Sequence, residues 1–313
     1  MHCSVVTVGI CPAWDITCKA DDLDWGKHSK VFQTSEPAGK ALNVSRALAW
    51  MGEKSINAGL WGKIDWPLAK EALSELKPLI DFRFTIVPGQ TRQNITVIDT
   101  RLNREMHLRD ECRLSTKSSL KQLNNNLLKI VDECNVIVFS GSLPGGELLT
   151  ECLSIIKNIC ERGSKVVVDS SGIALKKAVA TGDLYMIKPN LEELGQLLSR
   201  RISNESSEIV AAARKLCDSV DIVLVSRGAD GALAVTRDQA CQCHIKAEHR
   251  KAANTVACGD YLLAGFLAGD EKMELCARLE NGVKVATVRA WGLSGTMDWP
   301  TAKATIKLET QYF

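Results

Sequence analysis

The chain lacks an excess of charge of either sign. Of its 313 residues, 39 are Lys or Arg and 37 are Asp or Glu, so the formal net charge is only +2. A protein that holds nucleic acid or a membrane surface through a basic field usually carries a much larger imbalance. The composition therefore argues against a nucleic-acid or membrane partner and favours a small molecule as the ligand.

Long apolar runs are also missing near the N-terminus. The stretch "SVVTVGICPAW" is soon interrupted by Asp15, and no basic segment precedes it. A signal peptide or a membrane-spanning helix needs a longer apolar run with different flanks. We therefore expect a cytoplasmic protein, and its 45% apolar residues can fill a sizeable core.

Paired Cys-x-x-Cys knuckles, which are typical of zinc sites, are absent as well. The twelve cysteines are scattered through apparent strands and helices, which indicates buried thiols in a reducing compartment. The exception is "CQCH", where Cys241, Cys243 and His244 lie close together. On a strand the two cysteines would share one face and the histidine would point to the other, which disfavours a metal ion bound by all three.

No internal repeat, low-complexity tract or linker divides the chain, so we expect a single domain over residues 1–313. Short β-branched runs alternate with segments whose apolar residues recur every three or four positions. This alternation predicts a doubly wound α/β fold with a mostly parallel sheet, in which ligands bind at the carboxyl ends of the strands. The predicted strands are 4–10, 55–62, 135–141, 165–171, 184–190 and 221–228, and the predicted helices include 40–52, 66–76, 148–163 and 206–220.

Two regions interrupt this alternation. Residues 11–36 and 84–110 resemble extended segments joined by turns, which predicts a small β-sheet lid over the ligand site. A lid sheet with one face over a cleft has to bury its other face elsewhere. A second copy of the lid is a plausible partner, so we expect a homodimer joined through the lid.

Several loops after the predicted strands carry polar residues suited to a ligand. Gly39 and Lys40 precede a helix with Asn43 in its first turn, which is either an anion- or hydroxyl-binding site or an ordinary loop-to-helix junction. In "TRQN", Arg92 and Asn94 share one face of a lid strand, where they could bind a phosphate and a sugar hydroxyl or simply face solvent.

The segment "IKPNLEEL" offers two interpretations. Asn190 could cap the helix that follows, with Glu193 closing a capping box. Alternatively, the same two side chains could hold water on a magnesium ion near nucleotide phosphates. In the next loop, Gly228 and Gly231 would let a nucleotide approach the backbone closely.

The strongest motif is "NTVACGD", which leads into the apolar helix "YLLAGFLAG". The amides of residues 257–259 would point together at the positive end of this helix and form an anion hole. Asp260 lies at the edge of that hole, where it is a candidate catalytic base. A helix-capping role for Asp260 is the alternative.

Taken in order, "PAWD", "GKALN", "TRQN", "SGSLPGG", "KPNLEEL", "SRGADGAL" and "NTVACGD" resemble the motifs of the ribokinase-like, phosphofructokinase B family of sugar kinases. The resemblance covers nearly the whole chain and is strongest to the branch of 1-phosphofructokinase and tagatose-6-phosphate kinase. Seven motifs in the right order make the resemblance specific, whereas each motif alone would be weak.

The resemblance implies transfer of a phosphoryl group from ATP, with Mg²⁺, to a hydroxyl of a sugar phosphate. It assigns Asp260 as the base and gives the amides of Ala257, Cys258 and Gly259 the transferring phosphoryl group. The substrate residues it implies are Asp15, Gly39, Lys40, Asn43, Arg92 and Asn94, with Arg92 on the existing phosphate. The implied nucleotide residues are Lys188, Asn190, Glu193, Ser226, Gly228, Gly231 and Thr255, with Glu193 supporting Mg²⁺ through water.

The chain also departs from the family pattern. It has Cys11 before Pro12 where Asn is usual, and Ala38 and Ala257 where Gly is usual. An alanine in these places matters only if the backbone needs a positive φ or a close approach. "EMHLRDECRLS" replaces the segment that usually follows the second lid strand, which leaves the sugar phosphate undetermined. Two alternatives therefore stay open: a kinase of an unphosphorylated sugar or nucleoside, and a catalytically silent homologue that binds sugar or nucleotide.

Overall fold

The computed structural model describes residues 5–24, 26–134, 136–246, 252–253, 255–268 and 273–313. Ser4, Asn135 and Asn254, which begin three of the segments predicted above, lie outside the described residues. Within the described residues the strands are β1 (Val5–Gly9), β2 (Ala13–Ala20), β3 (Phe32–Ala38), β4 (Ser55–Gly62), β5 (Ile80–Val87), β6 (Arg92–Asp99), β7 (Arg104–Arg109), β8 (Val136–Ser140), β9 (Lys165–Asp169), β10 (Leu184–Ile187), β11 (Val220–Ser226), β12 (Ala232–Val235), β13 (Ala240–Ile245) and β14 (Leu308–Tyr312).

The helices in the same part of the chain cover both faces of the larger sheet. They are α1 (Lys40–Trp50), α2 (Trp66–Ala72), α3 (Lys117–Leu127), α4 (Glu147–Cys160), α5 (Gly172–Thr181), α6 (Leu191–Leu197), α7 (Ser206–Arg214), α8 (Cys258–Leu267), α9 (Leu275–Ala290) and α10 (Trp299–Thr305). None of the helices in the described ranges is both long and apolar enough to cross a membrane.

The described strands form two sheets. The larger has the order β14-β13-β12-β11-β10-β9-β8-β1-β4-β5, and the smaller has the order β3-β2-β6-β7. From β11 to β5 every neighbouring pair in the larger sheet is parallel, whereas β12, β13 and β14 add antiparallel pairs at one edge. The predicted α/β fold with a mostly parallel sheet and a small separate sheet is therefore confirmed.

The hydrophobic core lies on both faces of the larger sheet, because successive residues of its strands are buried on opposite faces. On β8, Ile137 and Phe139 pack with helices α3 to α7, while Val136 and Val138 pack with α1, α8 and α9. Successive residues of a strand point to opposite faces, so a strand covered on both sides is apolar throughout. This burial explains why the parallel strands were recognisable as continuous β-branched runs.

Several elements differ from the sequence prediction. The second lid segment was predicted to begin at residue 84, but residues 84–87 are the end of β5, which pairs with β4 at the edge of the larger sheet. An edge strand is half exposed, so its alternating pattern resembles that of a lid strand. The helix predicted over 206–220 ends at Arg214, and the antiparallel strands β12, β13 and β14 were not predicted.

Candidate functional site

A cavity of about 400 Å³ opens between the carboxyl ends of the parallel strands and the smaller sheet. Its walls come from the β1–β2 connection, the start of α1, the end of β8 and the lid strands β2, β6 and β7. Seven of the side chains singled out in the sequence line it: Asp15, Gly39, Lys40, Asn43, Arg92, Asn94 and Asp260. The fold therefore brings the predicted substrate residues and the predicted base to one site.

Asp260 lies in the first turn of α8 with only 4% of its surface exposed. Residue Ala257 occupies the N-cap position of α8, and no side chain caps this helix, so the structure gives Asp260 no capping role. Instead, the Nδ2 of Asn43 donates a 2.8 Å hydrogen bond to Oδ2 of Asp260. Asp260 is thus a buried carboxylate that a neighbouring helix holds toward the cavity.

The surroundings of Asp260 raise its pKa to about 6. Burial is the largest cause, because a charged carboxylate loses hydration, and the negative charge of Asp169 adds to it. Lys40, Asn43 and Lys188 oppose the increase. A carboxylate with this pKa is still largely ionised at neutral pH, yet it accepts a proton more readily than an exposed aspartate.

Asp169 forms the centre of a buried charge cluster that was missed in the sequence. Its Oδ1 lies 3.4 Å from Nζ of Lys40 and 3.3 Å from Nζ of Lys188, and the Ser140 hydroxyl donates to its Oδ2 at 3.1 Å. Burial alone would raise the pKa of Asp169, but the two ammonium groups outweigh it and hold that pKa below its usual range. The sequence feature that could have indicated a role for Asp169 is its position as the last residue of β9, at the carboxyl edge of the sheet.

The same charges keep Lys40 protonated. Burial disfavours its charged form, but the carboxylates of Asp169, Asp260 and Glu193 outweigh the loss of hydration and raise the pKa of Lys40. The sign of this shift matters because a neutral amine would not attract a phosphoryl group. The cluster therefore holds two cations, Lys40 and Lys188, beside the candidate base.

The turn before α8 combines a left-handed backbone at Ala257 with an ammonium group close to Gly259. Residue Ala257 adopts φ 66° and ψ 5°, in the left-handed region, and Cys258 and Gly259 begin the helix. A Cβ on Gly259 would lie 3.0 Å from Nζ of Lys188, so glycine lets the ammonium group approach the helix start. By contrast, Ala38 has no positive φ, so an alanine where the family usually has glycine causes no backbone strain at this position.

Arg92 makes contacts with the backbone that the sequence did not indicate. Its Nε, Nη1 and Nη2 donate to the backbone carbonyls of Pro12, Asp110 and Cys11 at 3.3, 3.1 and 3.0 Å. These contacts connect the start of β6 to the β1–β2 connection and to the residue after β7, a region here called the lid base. A guanidinium group has five N–H donors, so two remain for a ligand in the cavity.

A row of polar residues crosses the cleft side of the lid. Asp15 on β2 lies opposite Asn94 on β6, and Asn94 lies opposite Arg109 on β7. The Nδ2 of Asn94 donates a 2.9 Å hydrogen bond to Asp15. Arg109 was missed in the sequence, yet it lines the same cavity, is exposed, and has no carboxylate partner among the described residues. Its position two strands away from Asp15 in the sheet could not be read from sequence spacing.

The residues predicted to bind the nucleotide lie outside the lining of this cavity. Lys188, Asn190, Glu193, Ser226, Gly228, Gly231 and Thr255 are not among the described residues that line the cavity. Asn190 and Ser226 lie next to each other across a parallel bridge at the ends of β10 and β11. Among these residues, Lys188 belongs to the charge cluster beside the cavity through its ion pair with Asp169.

The capping-box interpretation of "KPNLEEL" is confirmed. The amide of Glu193 donates to Oδ1 of Asn190 at 2.8 Å, and the amide of Asn190 donates to Oε2 of Glu193 at 2.9 Å. Gly231 has a packing role, because a Cβ there would lie 2.0 Å from the carbonyl oxygen of Cys243 on β13. Gly228 lies in the turn between β11 and β12 with φ 61°, and Thr255 is exposed just before α8.

The "CQCH" segment lies on β13, with Cys241 and Cys243 buried on one face. His244 points away from them, and its Nε2 lies 3.7 Å from the Glu309 carboxylate. Throughout the described ranges, no three His, Cys, Asp or Glu residues are grouped in a way that could hold a metal ion.

Comparisons with known proteins agree with this geometry. The pfkB family carbohydrate kinase profile matches residues 3–291. The tagatose-6-phosphate kinase of Staphylococcus epidermidis is 30% identical over 268 residues, which are 85% of this chain and 84% of that protein.

Solved structures show the same fold. Phosphofructokinase-2 from Escherichia coli in complex with fructose-6-phosphate has a TM-score of 0.84 and 22% identity, and the match covers 94% of this chain and 97% of that one. A possible 1-phosphofructokinase from Thermotoga maritima has a TM-score of 0.81 and 20% identity, with 99% of both chains covered. With the family profile spanning most of its length, this chain belongs to the pfkB family of carbohydrate kinases.

Proposed function

We propose that this protein is an ATP-dependent kinase that transfers the γ-phosphoryl group to a hydroxyl of a sugar phosphate, as a tagatose-6-phosphate kinase or 1-phosphofructokinase does. The observation that carries the proposal is Asp260. It is buried at the cavity, is held by Asn43, and has a pKa raised to about 6. The 30% identical relative named tagatose-6-phosphate kinase supports a phosphorylated acceptor.

In the proposed reaction, an acceptor hydroxyl in the cavity loses its proton to a carboxylate oxygen of Asp260. The hydroxyl oxygen forms a bond to the γ-phosphorus of ATP as the bond to the β-phosphate oxygen breaks. Phosphoryl transfer depends mostly on positioning and charge neutralisation. The ammonium groups of Lys40 and Lys188, which flank Asp169 near the base, support the proposal because they would neutralise charge on the transferring group, and the positive end of α8 would add to this.

The donor residues fit a magnesium ion that arrives with the nucleotide. Mg²⁺ usually keeps several waters and takes one or two carboxylates together with substrate phosphates. Glu193 uses only Oε2 in its capping box, so its other carboxylate oxygen can hold a metal-bound water. When bound, the ion would neutralise negative charge on the phosphates.

The phosphate already on the acceptor would lie near the lid. Arg109 is exposed at the cavity without a carboxylate partner among the described residues, and Arg92 retains two N–H donors. The alternative acceptor is an unphosphorylated sugar or nucleoside. It is favoured by the three backbone contacts of Arg92, which would explain that residue without any anion.

We also propose that the protein forms a homodimer through its lid. Across β2, β6 and β7, one side of the lid sheet carries the apolar residues Ile16, Cys18, Ile95, Val97, Met106 and Leu108, here called the apolar lid face. Met106 is 47% exposed and Leu108 is 49% exposed. An exposed β-sheet face of this kind is buried most simply by an identical face.

An acceptor screen tests the proposed reaction. ATP consumption with Mg²⁺ would be measured on tagatose 6-phosphate, fructose 1-phosphate, fructose 6-phosphate and the corresponding free sugars. We expect a ketohexose phosphate to give the highest kcat/KM. A clear preference for a free sugar would replace the proposal with the unphosphorylated acceptor. Binding of nucleotide or sugar without turnover on any acceptor would indicate a catalytically silent homologue.

A further inference from the structure

Two cysteine thiols lie side by side at the base of the lid. The sulfurs of Cys11 and Cys112 both contact the hydroxyl oxygen of Ser115, at 3.9 and 3.5 Å. The sulfur of Cys112 also lies 3.8 Å from the carbonyl oxygen of Ile10. Two segments distant in sequence therefore meet through these thiols.

Their place in the fold is where the lid joins the larger sheet. Cys11 lies between β1 and β2, and Cys112 lies between β7 and α3, so each is on a segment that connects the two sheets. The carbonyl oxygen of Cys11 accepts a hydrogen bond from Arg92, and Cys11 also lines the cavity. A covalent change here would therefore act on both the lid base and the site.

The surroundings shift the pKa values of the two thiols in opposite directions. The interaction with the Cys11 thiol outweighs burial and, with Ser115 and the Arg92 guanidinium, lowers the pKa of Cys112 to about 6. The interaction with the Cys112 thiol and burial raise the pKa of Cys11 far above its ordinary value. Cys112 is half-buried, whereas Cys11 is only 7% exposed. The pair thus joins a reactive, reachable thiolate to a neighbouring thiol, as in oxidation-sensitive sites.

A second pair of neighbouring thiols shows what is special about the first. Cys241 and Cys276 also interact, but they are 0% and 5% exposed, and burial raises the pKa of Cys241. Neither thiol lies at the lid. The comparison separates a pair that an oxidant can reach from one that is part of the core.

We propose that Cys11 and Cys112 form a disulfide when the protein meets a peroxide. The Cys112 thiolate attacks a peroxide oxygen, which breaks the O–O bond and leaves a sulfenic acid and one water after protonation. The sulfur of Cys11 then bonds to the sulfenic sulfur, its proton leaves with the hydroxyl group, and a second water forms. The two sulfurs give up two electrons in all, and one hydrogen peroxide is reduced to two waters.

The disulfide would tie the two connecting segments together and fix the lid base. Because it would also move the Cys11 carbonyl that Arg92 contacts, we expect oxidation to slow turnover and a dithiol to restore it. Formation of the bond itself is independent of the proposed kinase reaction, whereas the effect on turnover rests on it.

Peptide mapping of the full-length protein tests the disulfide directly. The reduced protein would be treated with equimolar hydrogen peroxide, digested without reduction and analysed by mass spectrometry. We expect a linked peptide pair containing Cys11 and Cys112, reversed by dithiothreitol, and no link between Cys241 and Cys276. Separately, iodoacetamide at pH 7 should label Cys112 about tenfold faster than the half-buried Cys160, whose pKa burial raises to about 11.

Two variants complete the test. Cys112→Ser should give no link involving Cys11 and should retain turnover after peroxide, while the control Cys160→Ser should behave like wild type. Peroxide-treated wild type with Cys11 and Cys112 unlinked, or with Cys112 converted only to higher oxides, would overturn the proposal without any variant. Reduced protein with no kinase turnover would count against the proposed function and leave the mapping result intact.

Discussion

At Ala257 the backbone of the site is held in a conformation that suits glycine better than alanine. In the left-handed region, the Cβ of an L-residue crowds its own backbone, at a cost of about 1–2 kcal/mol. The start of α8 therefore keeps its geometry against a local penalty, which the packing of the buried helix compensates.

We predict that Ala257→Gly leaves the free energy of unfolding unchanged or raises it by up to about 1.6 kcal/mol. Relief of the positive φ contributes about 1–2 kcal/mol, and the greater freedom of glycine in the unfolded chain removes roughly 0.4–1 kcal/mol. Ala38→Gly is the matched control, because Ala38 has no positive φ. It should lower stability by about 0.5–1 kcal/mol. Urea unfolding of both variants measures the difference, and equal losses would show that Ala257 is unstrained.

The pH dependence of turnover follows from the carboxylates around Asp260. A base works only when ionised, so kcat/KM should fall as the pH drops through the pKa of Asp260, about 6. Asp169→Asn removes a negative charge that raises this pKa and leaves two lysines that lower it. The acid limb should therefore move to lower pH.

Complete pH profiles of wild type and Asp169→Asn check this shift, which is read from the midpoint and not from the height of the curve. Asp81→Asn serves as the control, since Asp81 is paired with Arg83 on β5, away from the cavity. An acid limb that stays in place, or moves to higher pH, would mean that Asp169 does not act on the base.

At the scale of elements, the lid strands present two arginines in different roles. Arg92 contacts three backbone carbonyls at the lid base, while Arg109 lies exposed at the cavity without a carboxylate partner in the described part of the chain. A charge-assisted hydrogen bond contributes about 1.5–3 kcal/mol, which corresponds to roughly a tenfold to hundredfold change in binding.

We predict that Arg92→Ala and Arg109→Ala each raise KM for the best sugar phosphate by about ten to a hundredfold. Only Arg92→Ala should also lower thermal stability, because it frees three buried or half-buried carbonyls. Arg92→Lys should recover part of the loss, since an ammonium group lacks the planar fork. Steady-state kinetics on the sugar phosphate and its unphosphorylated counterpart separate the roles. Unchanged KM in both variants would remove the phosphate-binding role of the lid.

The sequence was informative where local chemistry decides the outcome. The Asn190–Glu193 capping box and the buried β-branched strands follow from local patterns, and both are observed. Asp169 and Arg109 were missed because their roles depend on neighbours that the sheet topology supplies. The end of β5 was assigned to the lid because an edge strand of the larger sheet and a lid strand expose alternate residues in the same way.

For the whole molecule, we predict a homodimer at micromolar concentration in sedimentation velocity, joined through the apolar lid face. Leu108→Glu should give monomers, because a carboxylate buried in an apolar interface without a partner costs several kcal/mol. His107→Glu is the matched control on the neighbouring residue of β7, which points to the other side of the sheet. A wild-type monomer, or a dimer that both variants leave intact, would exclude this interface.

The fold, the family and the cavity together support the buried carboxylate of Asp260 as the centre of the proposed chemistry. Asp169, Lys40 and Lys188 place charges of both signs beside it, and Asn43 donates a hydrogen bond to it. If the account is right, removal of the carboxylate abolishes proton acceptance and leaves nucleotide binding nearly unchanged, because the residues proposed to bind the nucleotide do not line the cavity that holds Asp260.

Steady-state and single-turnover kinetics of Asp260→Asn, with nucleotide affinity measured on the same preparation, test this most directly. We predict that turnover falls by at least about a hundredfold, within the 10²–10⁴ that a positioned base usually contributes, while ATP binding changes little. Thermal unfolding of the variant confirms that it is folded. Turnover close to that of wild type would contradict the account, because Asp260 would then not be the catalytic base.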